Sequence, residues 1–548
     1  LRVIAQTRDI EGNLQLAVGQ AEKALETWQQ TASIYDNLGW EEGKNQSWLN
    51  QARALQDLGL YPRAGETLLQ IFGSDFTRVS KLSTEEANSW LQEFSDSPSP
   101  IKAVALRSLG DILRQLGNLD LSQKVLERSL SWAETPQDKI AVKLSLGNTE
   151  RALAGRERDR LDEIDVLYIA GLYNQAFKQA FQAYEEVAGE SPAPLTRIQA
   201  RLADLNLLLE IKKWGEQQRD KFTQDAREDW TKIESALIDN AKALLPDIQS
   251  DFAGLSSSRA AVYAGIDFAR SLQKLSDVGQ AFPPTQNLPD VGQAFPPTQN
   301  LPDAGQTLNT AVKMAKNLGD KRAEAYALGY LGECYEKQGM IESAKNQTQK
   351  ALELLLEDSS RDNREIAYRW QWQLGRILKT EGDSKGALAA YAEAFNTLQS
   401  LRQDLAGINR DAQFSFQEEV EPVYRELVRL LLQSENSEYA LKQLVLLNSS
   451  RNQESGSDPE TPQNTAELAP RVFEALQVAE LDNFFRDPFA EVVPVRIRDF
   501  LNKQARNSAV IYPIIVGNRL EILLRLPDNK PPLARHQYLP DNYLKILD

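Results

Sequence analysis

Three stretches of the chain carry small and large residues at the same offsets from a Leu-Gly pair. In VALRSLGDILRQLGNLDLSQKVLERSL, Leu109-Gly110 is followed by Leu113, Gly117, Leu119, Ser122, Leu126 and Ser129. In YALGYLGECYEKQGMIESAKNQTQKALELL, Leu331-Gly332 is followed by Tyr335, Gly339, Ile341, Ala344, Thr348 and Ala351. In YRWQWQLGRILKTEGDSKGALAAYAEAFNTL, Leu374-Gly375 leads to Leu378, Gly382, Ser384, Ala387, Tyr391 and Ala394. A fourth stretch, WLNQARALQDLGLYPRAGETLLQI, supplies Trp48, Ala52, Leu55, Gly59, Tyr61, Ala64, Leu68 and Ile71. Spacings of three and four residues on each side of a central Gly describe two amphipathic helices joined by a tight turn. Small residues let the two helices approach, larger ones fill the gap, and a Gly such as Gly339 ends the first helix in a left-handed backbone.

This pattern resembles the tetratricopeptide repeat (TPR), whose unit is about 34 residues long. Leu331 and Leu374 are 43 apart, so the linkers here are longer. Degenerate copies fill the gaps at AVGQAEKALETWQQTASIY, at LYIAGLYNQAFKQAFQAYEEV around Gly171 to Ala176, and at IQARLADLNLLLEI. The expected fold is mainly α, a TPR-like α-solenoid of helical hairpins over residues 1–400.

One interruption is a tandem duplication. DVGQAFPPTQNLP, residues 277–289, recurs unchanged at 290–302. Its Pro-Pro and Leu-Pro steps deny the backbone a helix. SRAAVYAGIDFARSLQKL before it reads as a first helix and TLNTAVKMAKNLGD after it as a second, so the duplication is a loop insertion within one hairpin. Doubling such a loop adds only about 0.6 kcal/mol of closure entropy, which a repeat interface outweighs.

By the TPR resemblance, the groove is built from first helices, and the groove-facing positions of one repeat are Arg369, Trp372, Arg376 and Lys379. Equivalent offsets give Arg107, Arg114 and Arg53. A groove with this many cations points to a protein or peptide partner of acidic character, with Arg forking onto carboxylates. Glu333 and Glu336, at matching offsets, oppose that reading.

The net charge of −16 argues against general nucleic-acid binding. One Cys (Cys334) and one His (His536) allow neither an internal disulfide nor a usual structural zinc site. No cofactor or metal is expected, no apolar run spans a membrane, and the single thiol fits a reducing, cytoplasmic setting. The chain begins at Leu1, so an upstream targeting segment stays open.

After about residue 400 the pattern changes. Phe395 to Gln433 reads as helix, break, helix; residues 448–466 are polar and read as a disordered loop; RVFEALQVAELDNFFRDPF resumes a helix. Ala509 to Val516 and Leu520 to Leu526 then read as strands of a hairpin turning at Gly517-Asn518, with Leu533 to Tyr538 as a third strand. Pro513 has no N–H to give a ladder and belongs at an edge or bulge. YRELVRLLLQ, ALQVAELDNFFRD and AVIYPIIVGNRLEILLRLP, in this order, resemble the opening of a CHAT domain. That caspase-like peptidase module follows TPR repeats in bacterial proteins. The resemblance implies an α/β fold whose first part is residues 401–548, with a catalytic His in an ATHG-like phrase and a nucleophilic Cys in a SACQT-like phrase. Neither phrase occurs here. His536 lies too near the hairpin and Cys334 lies inside a repeat helix, so catalytic residues are none and the chain as given reads as a scaffold or sensor array. The other reading is a stand-alone adaptor with a degenerate CHAT remnant.

Overall fold

The computed structural model describes residues 1–93, 98–158, 177–219, 222, 224–277, 303–357, 363–405, 420–433, 468–485, 509–516, 519–525 and 533–538. Among these residues it contains 20 α-helices and three β-strands. They divide into two compact units, Leu1–Cys334 and Tyr335–Asp548. That boundary follows chain contacts, whereas the sequence pattern changes near residue 400.

The first unit is a run of antiparallel helix pairs. Arg2–Ala17 packs on Ala21–Asn37, Glu41–Asp57 on Tyr61–Leu69, and Pro100–Gln115 on Leu119–Trp132. Pro136–Arg158 pairs with Lys178–Glu190, Pro194–Gln218 with Gln224–Ala253, and Arg259–Asp277 with Ala304–Leu318. The turns are made where the sequence placed glycines: Gly117 has φ 81° and closes the hairpin of the repeat containing Leu109. Leu109, Leu113 and Leu126 are fully buried between its two helices. Ala52, Ala64 and Leu68 are equally buried in the fourth stretch.

Two short helices, Phe76–Val79 and Thr84–Gln92, interrupt the pairs. The second opens on a capping box, in which Ser83 Oγ accepts the Glu86 N–H and the Glu86 carboxylate accepts the Ser83 N–H. Such reciprocal caps satisfy donors that a helix start leaves open. The helices flanking the duplication, Arg259–Asp277 and Ala304–Leu318, pack as the expected pair. Residues 278–302 themselves, and the degenerate copy around Gly171 to Ala176, lie outside the described residues.

In the second unit, Arg364–Thr380 packs on Ser384–Leu405, and Glu421–Gln433 packs on Ala469–Phe485. One core joins Tyr391, Leu398, Val423, Tyr424, Leu427 and Leu476 to Tyr512 and Ile514 of the first strand. The strands Val510–Val516, Arg519–Arg525 and Leu533–Tyr538 form an antiparallel sheet in that order. Tyr512 and Ile514 are buried while Ile511 and Pro513 are exposed, so the first strand turns one face to the helices. Pro513 lies opposite Ile522 on an edge strand of the described sheet, where a missing N–H is tolerated. The Tyr512 hydroxyl donates to Glu474 at 2.8 Å, tying this strand to Ala469–Phe485. The loop expected at 448–466 and the turn at Gly517-Asn518 lie outside the described residues.

Candidate functional site

A cavity of 440 Å³ is lined by Gln56, Asp57, Tyr61, Asp111, Arg114, Gln115, Leu144, Ser145, Asn148 and Gln199. Apart from Tyr61, these come from Glu41–Asp57, Pro100–Gln115, Pro136–Arg158 and Pro194–Gln218, one turn of each. Residues three and four apart share a helix face, so the periodicity that buries Leu109 and Leu113 turns Asp111, Arg114 and Gln115 the other way.

Asp111 receives a hydrogen bond from Ser145 Oγ at 3.0 Å and has the Arg114 guanidinium 3.9 Å away. Protein surrounds this carboxyl, although its side chain keeps 30% of its surface open to solvent. Burial raises its pKa, against the pull of Arg114, the Ser145 bond and Arg107. Asp57 is raised for the same reason, opposed by Arg259, Arg322 and Arg53. The Tyr184 hydroxyl donates to Asn148 Oδ1 at 2.9 Å, which leaves the Asn148 amide N–H groups as its remaining donors. Burial pushes that phenol up to about 12. Asp204, on Pro194–Gln218, is pushed up to about 7 by burial and by neighbouring Glu185.

Of the residues expected in a groove, Arg114 lines the cavity, and Arg53 and Arg107 act electrostatically on its two acids. Arg369, Trp372, Arg376 and Lys379 belong to the second unit, along Arg364–Thr380. There Arg376 forks onto Glu336, with Nε–Oε1 at 2.9 Å and Nη2–Oε2 at 2.8 Å, and sits 4.3 Å from the Trp372 ring centroid. Arg369 lies 5.5 Å from the Tyr368 ring, and Lys379 is exposed. One of these cations, Arg376, is therefore already paired with an acid from a neighbouring helix.

A tetratricopeptide-repeat family profile matches residues 106–136. The chain carries a tetratricopeptide repeat. That match overlaps the hairpin of Leu109 and Leu126, whose first helix supplies Asp111, Arg114 and Gln115 to the cavity. No curated protein sequence matches the chain. Among solved structures, one similar chain is a signal transduction ATPase with numerous domains (STAND) protein with a tetratricopeptide repeat sensor from Pyrococcus horikoshii. It is 12% identical over 81% of this chain and 50% of that one, with a TM-score of 0.35, so this chain spans half of its length. Aspartyl phosphate phosphatase F from Bacillus subtilis is 10% identical over 78% of this chain and 95% of that one, at a TM-score of 0.33. Yeast Tom70 is 12% identical over 89% and 97%, at 0.27.

Sequence reasoning missed Asn148, and a signal for it was present. Leu146-Gly147 repeats the Leu-Gly pair of the tetratricopeptide pattern, and a Cβ on Gly147 would lie 2.9 Å from Tyr184 Cε1. Asn148 thus sits one residue after the small position, as Asp111 does after Gly110. The long insertion before Tyr184 hid the second half of that repeat. Among the described residues, no group of His, Cys, Asp and Glu is placed to hold a metal ion, and no helix is long and apolar enough to cross a membrane. His536, on the third strand, pairs in register with Glu521.

Proposed function

We propose that the chain is a protein-interaction scaffold whose first unit holds a partner's extended segment along its first helices. The observation that carries this is the cavity wall, where Gln56, Gln115, Asn148 and Gln199 come from four first helices in succession. A carboxamide offers both a donor and an acceptor, which matches the N–H and C=O of a peptide main chain. Arg53, Arg107 and Arg114 would then read the partner's acidic side chains here, and Arg369, Trp372, Arg376 and Lys379 would do so in the second unit. Support for that charge preference is Arg114 on the cavity wall; Arg376 would exchange the Glu336 carboxylate it already forks for the partner's. A peptide selected by display on the purified chain, then labelled for anisotropy, provides the test. Asn148→Ala and Gln115→Ala should each weaken it at least about ten-fold, a loss of the size expected for buried amide contacts. Unchanged affinity in both, with unchanged far-UV circular dichroism, would sink the groove reading.

We further propose that this scaffold belongs to a TPR–CHAT protein and acts in the cytoplasm as the sensor of a caspase-like cysteine peptidase. Supporting it are the three CHAT-like phrases in order, one of them on the strands Val510–Val516 and Arg519–Arg525. The alternative is an adaptor in which residues 401–548 only cap the repeats. Peptide cleavage by the full-length gene product, abolished by Cys→Ala in a SACQT-like phrase, would separate the two.

A further inference from the structure

In a repeat array each unit ordinarily touches its neighbours alone. The first unit departs from this. Asp57, at the end of Glu41–Asp57, accepts a hydrogen bond from Arg259 Nη1 at 2.9 Å, although 202 residues separate them. Arg259 Nε also lies 3.4 Å from Asp320 Oδ2, just ahead of the helix Lys321–Lys337. The Asp320 side chain is 1% exposed, and its Oδ1 accepts the Ala323 N–H at 2.9 Å, which caps that helix. Against the same carboxylate lies the first hairpin turn: a Cβ on Gly19 would stand 2.9 Å from Asp320 Oδ1. Gly19 has φ 80°, so a side chain there is excluded twice, by backbone and by space.

One guanidinium therefore joins an early repeat to a late one, held between two carboxylates. Its planar fork suits two acceptors at once, which a lysine would serve less well. Without it, Asp57 would keep only the pull of Arg53 and Arg322, and the buried Asp320 would lose its ion pair with Arg259. Removing one partner of such a pair is much costlier than the pair is worth.

We propose that Asp57, Arg259 and Asp320 form an ionic latch that closes the helical path of the first unit on itself. Asp57 also lines the 440 Å³ cavity, so the latch and the cavity wall share a residue, and release of the latch reshapes the cavity. The device is polar and its Asp57 end is 39% exposed, so salt weakens it.

Labels at Gln29→Cys and Lys313→Cys, both exposed positions on early and late helices, report the closure, because the single native thiol is buried. Pulsed electron-spin distance measurements should give one narrow population for the otherwise native chain at low salt. Arg259→Gln and Asp320→Asn should each add a longer-distance population, raising the open-to-closed ratio at least about ten-fold. Arg259→Lys should fall between, and raising salt to about 1 M should move the native chain the same way. Lys232→Gln, which breaks the exposed pair with Asp229, should change nothing. The latch is overturned if Arg259→Gln, folded by circular dichroism, keeps the native distribution. Should that variant fail to fold, an unchanged distribution in Arg259→Lys and in about 1 M salt overturns it equally.

Discussion

Gly110 and Leu126 meet with no room for a methyl group between them: a Cβ on Gly110 would lie 2.5 Å from Leu126 Cγ. Both helices of this hairpin are buried there, and Ser122 Oγ donates to the Gly110 carbonyl at 2.8 Å from the same helix that carries Leu126. Gly110→Ala should therefore destabilise the first unit by about 1–3 kcal/mol, because overpacking outweighs the better helix propensity of Ala. Gly155→Ala is the contrast. Nothing stands within 4 Å of its Cβ position and its helix runs from Pro136 to Arg158, so that change should add about 0.5–1 kcal/mol. Urea unfolding of the two variants beside the native chain measures both signs.

The contact explains why the repeats were readable. Gly110 opposite Leu126 and Gly375 opposite Tyr391 place a small residue 16 positions before a large one, and Ala52 and Leu68, buried in one core, keep the same interval. That interval survives in sequence because the two helices can approach only there. Gly12 against Trp28 has the same interval, so the degenerate first copy obeys the same packing. The cavity was less legible. Arg114 was reached by counting from Gly110, but Asp111, Gln115 and Gln199 look like ordinary solvated helix positions until neighbouring first helices converge. The latch was invisible altogether, since no local pattern announces that Asp57 will meet Arg259 after 202 residues.

Asp204 gives stability an acid-side slope. Its carboxyl is pushed from 3.8 up to about 7 by burial and by Glu185. The folded chain therefore holds a proton that the unfolded chain releases, and stability falls as pH rises from about 4 to 7. Asp204→Asn should match the native chain near pH 4 and exceed it by about 1–2 kcal/mol at pH 8, allowing for screening of a partly exposed group. Urea midpoints across that range check it.

Glu210 slopes the other way. Burial pulls its pKa up, but Arg151 and Arg158 outweigh burial and hold it below 4.5. Arg151 reaches it at 2.7 Å and Arg158 at 3.1 Å, and the Arg158 side chain is only 4% exposed. A group with a depressed pKa contributes stability above its unfolded pKa and loses it as pH falls through the folded one. Glu210→Gln should cost about 1–3 kcal/mol at pH 7, because it removes the carboxylate that both Arg151 and Arg158 reach, and the difference should shrink below about pH 4.

Cys334 offers a chemical clock for opening of its repeat. It is 3% exposed on Lys321–Lys337, with Sγ 3.9 Å from where a Cβ on Gly305 would stand. A buried thiol meets an aromatic disulfide reagent only when its helix pair separates, and the chain has no second thiol to confuse the signal. The native chain should therefore react at a small fraction of the rate seen in about 6 M guanidinium, where the helices are apart. Gly305→Leu, which forces a branched side chain toward that sulfur, should raise the native-state rate about ten-fold or more as overpacking loosens the pair. If Cys334 reacts at the unfolded rate in native buffer, the start of Ala304–Leu318 at Gly305 does not cover the sulfur.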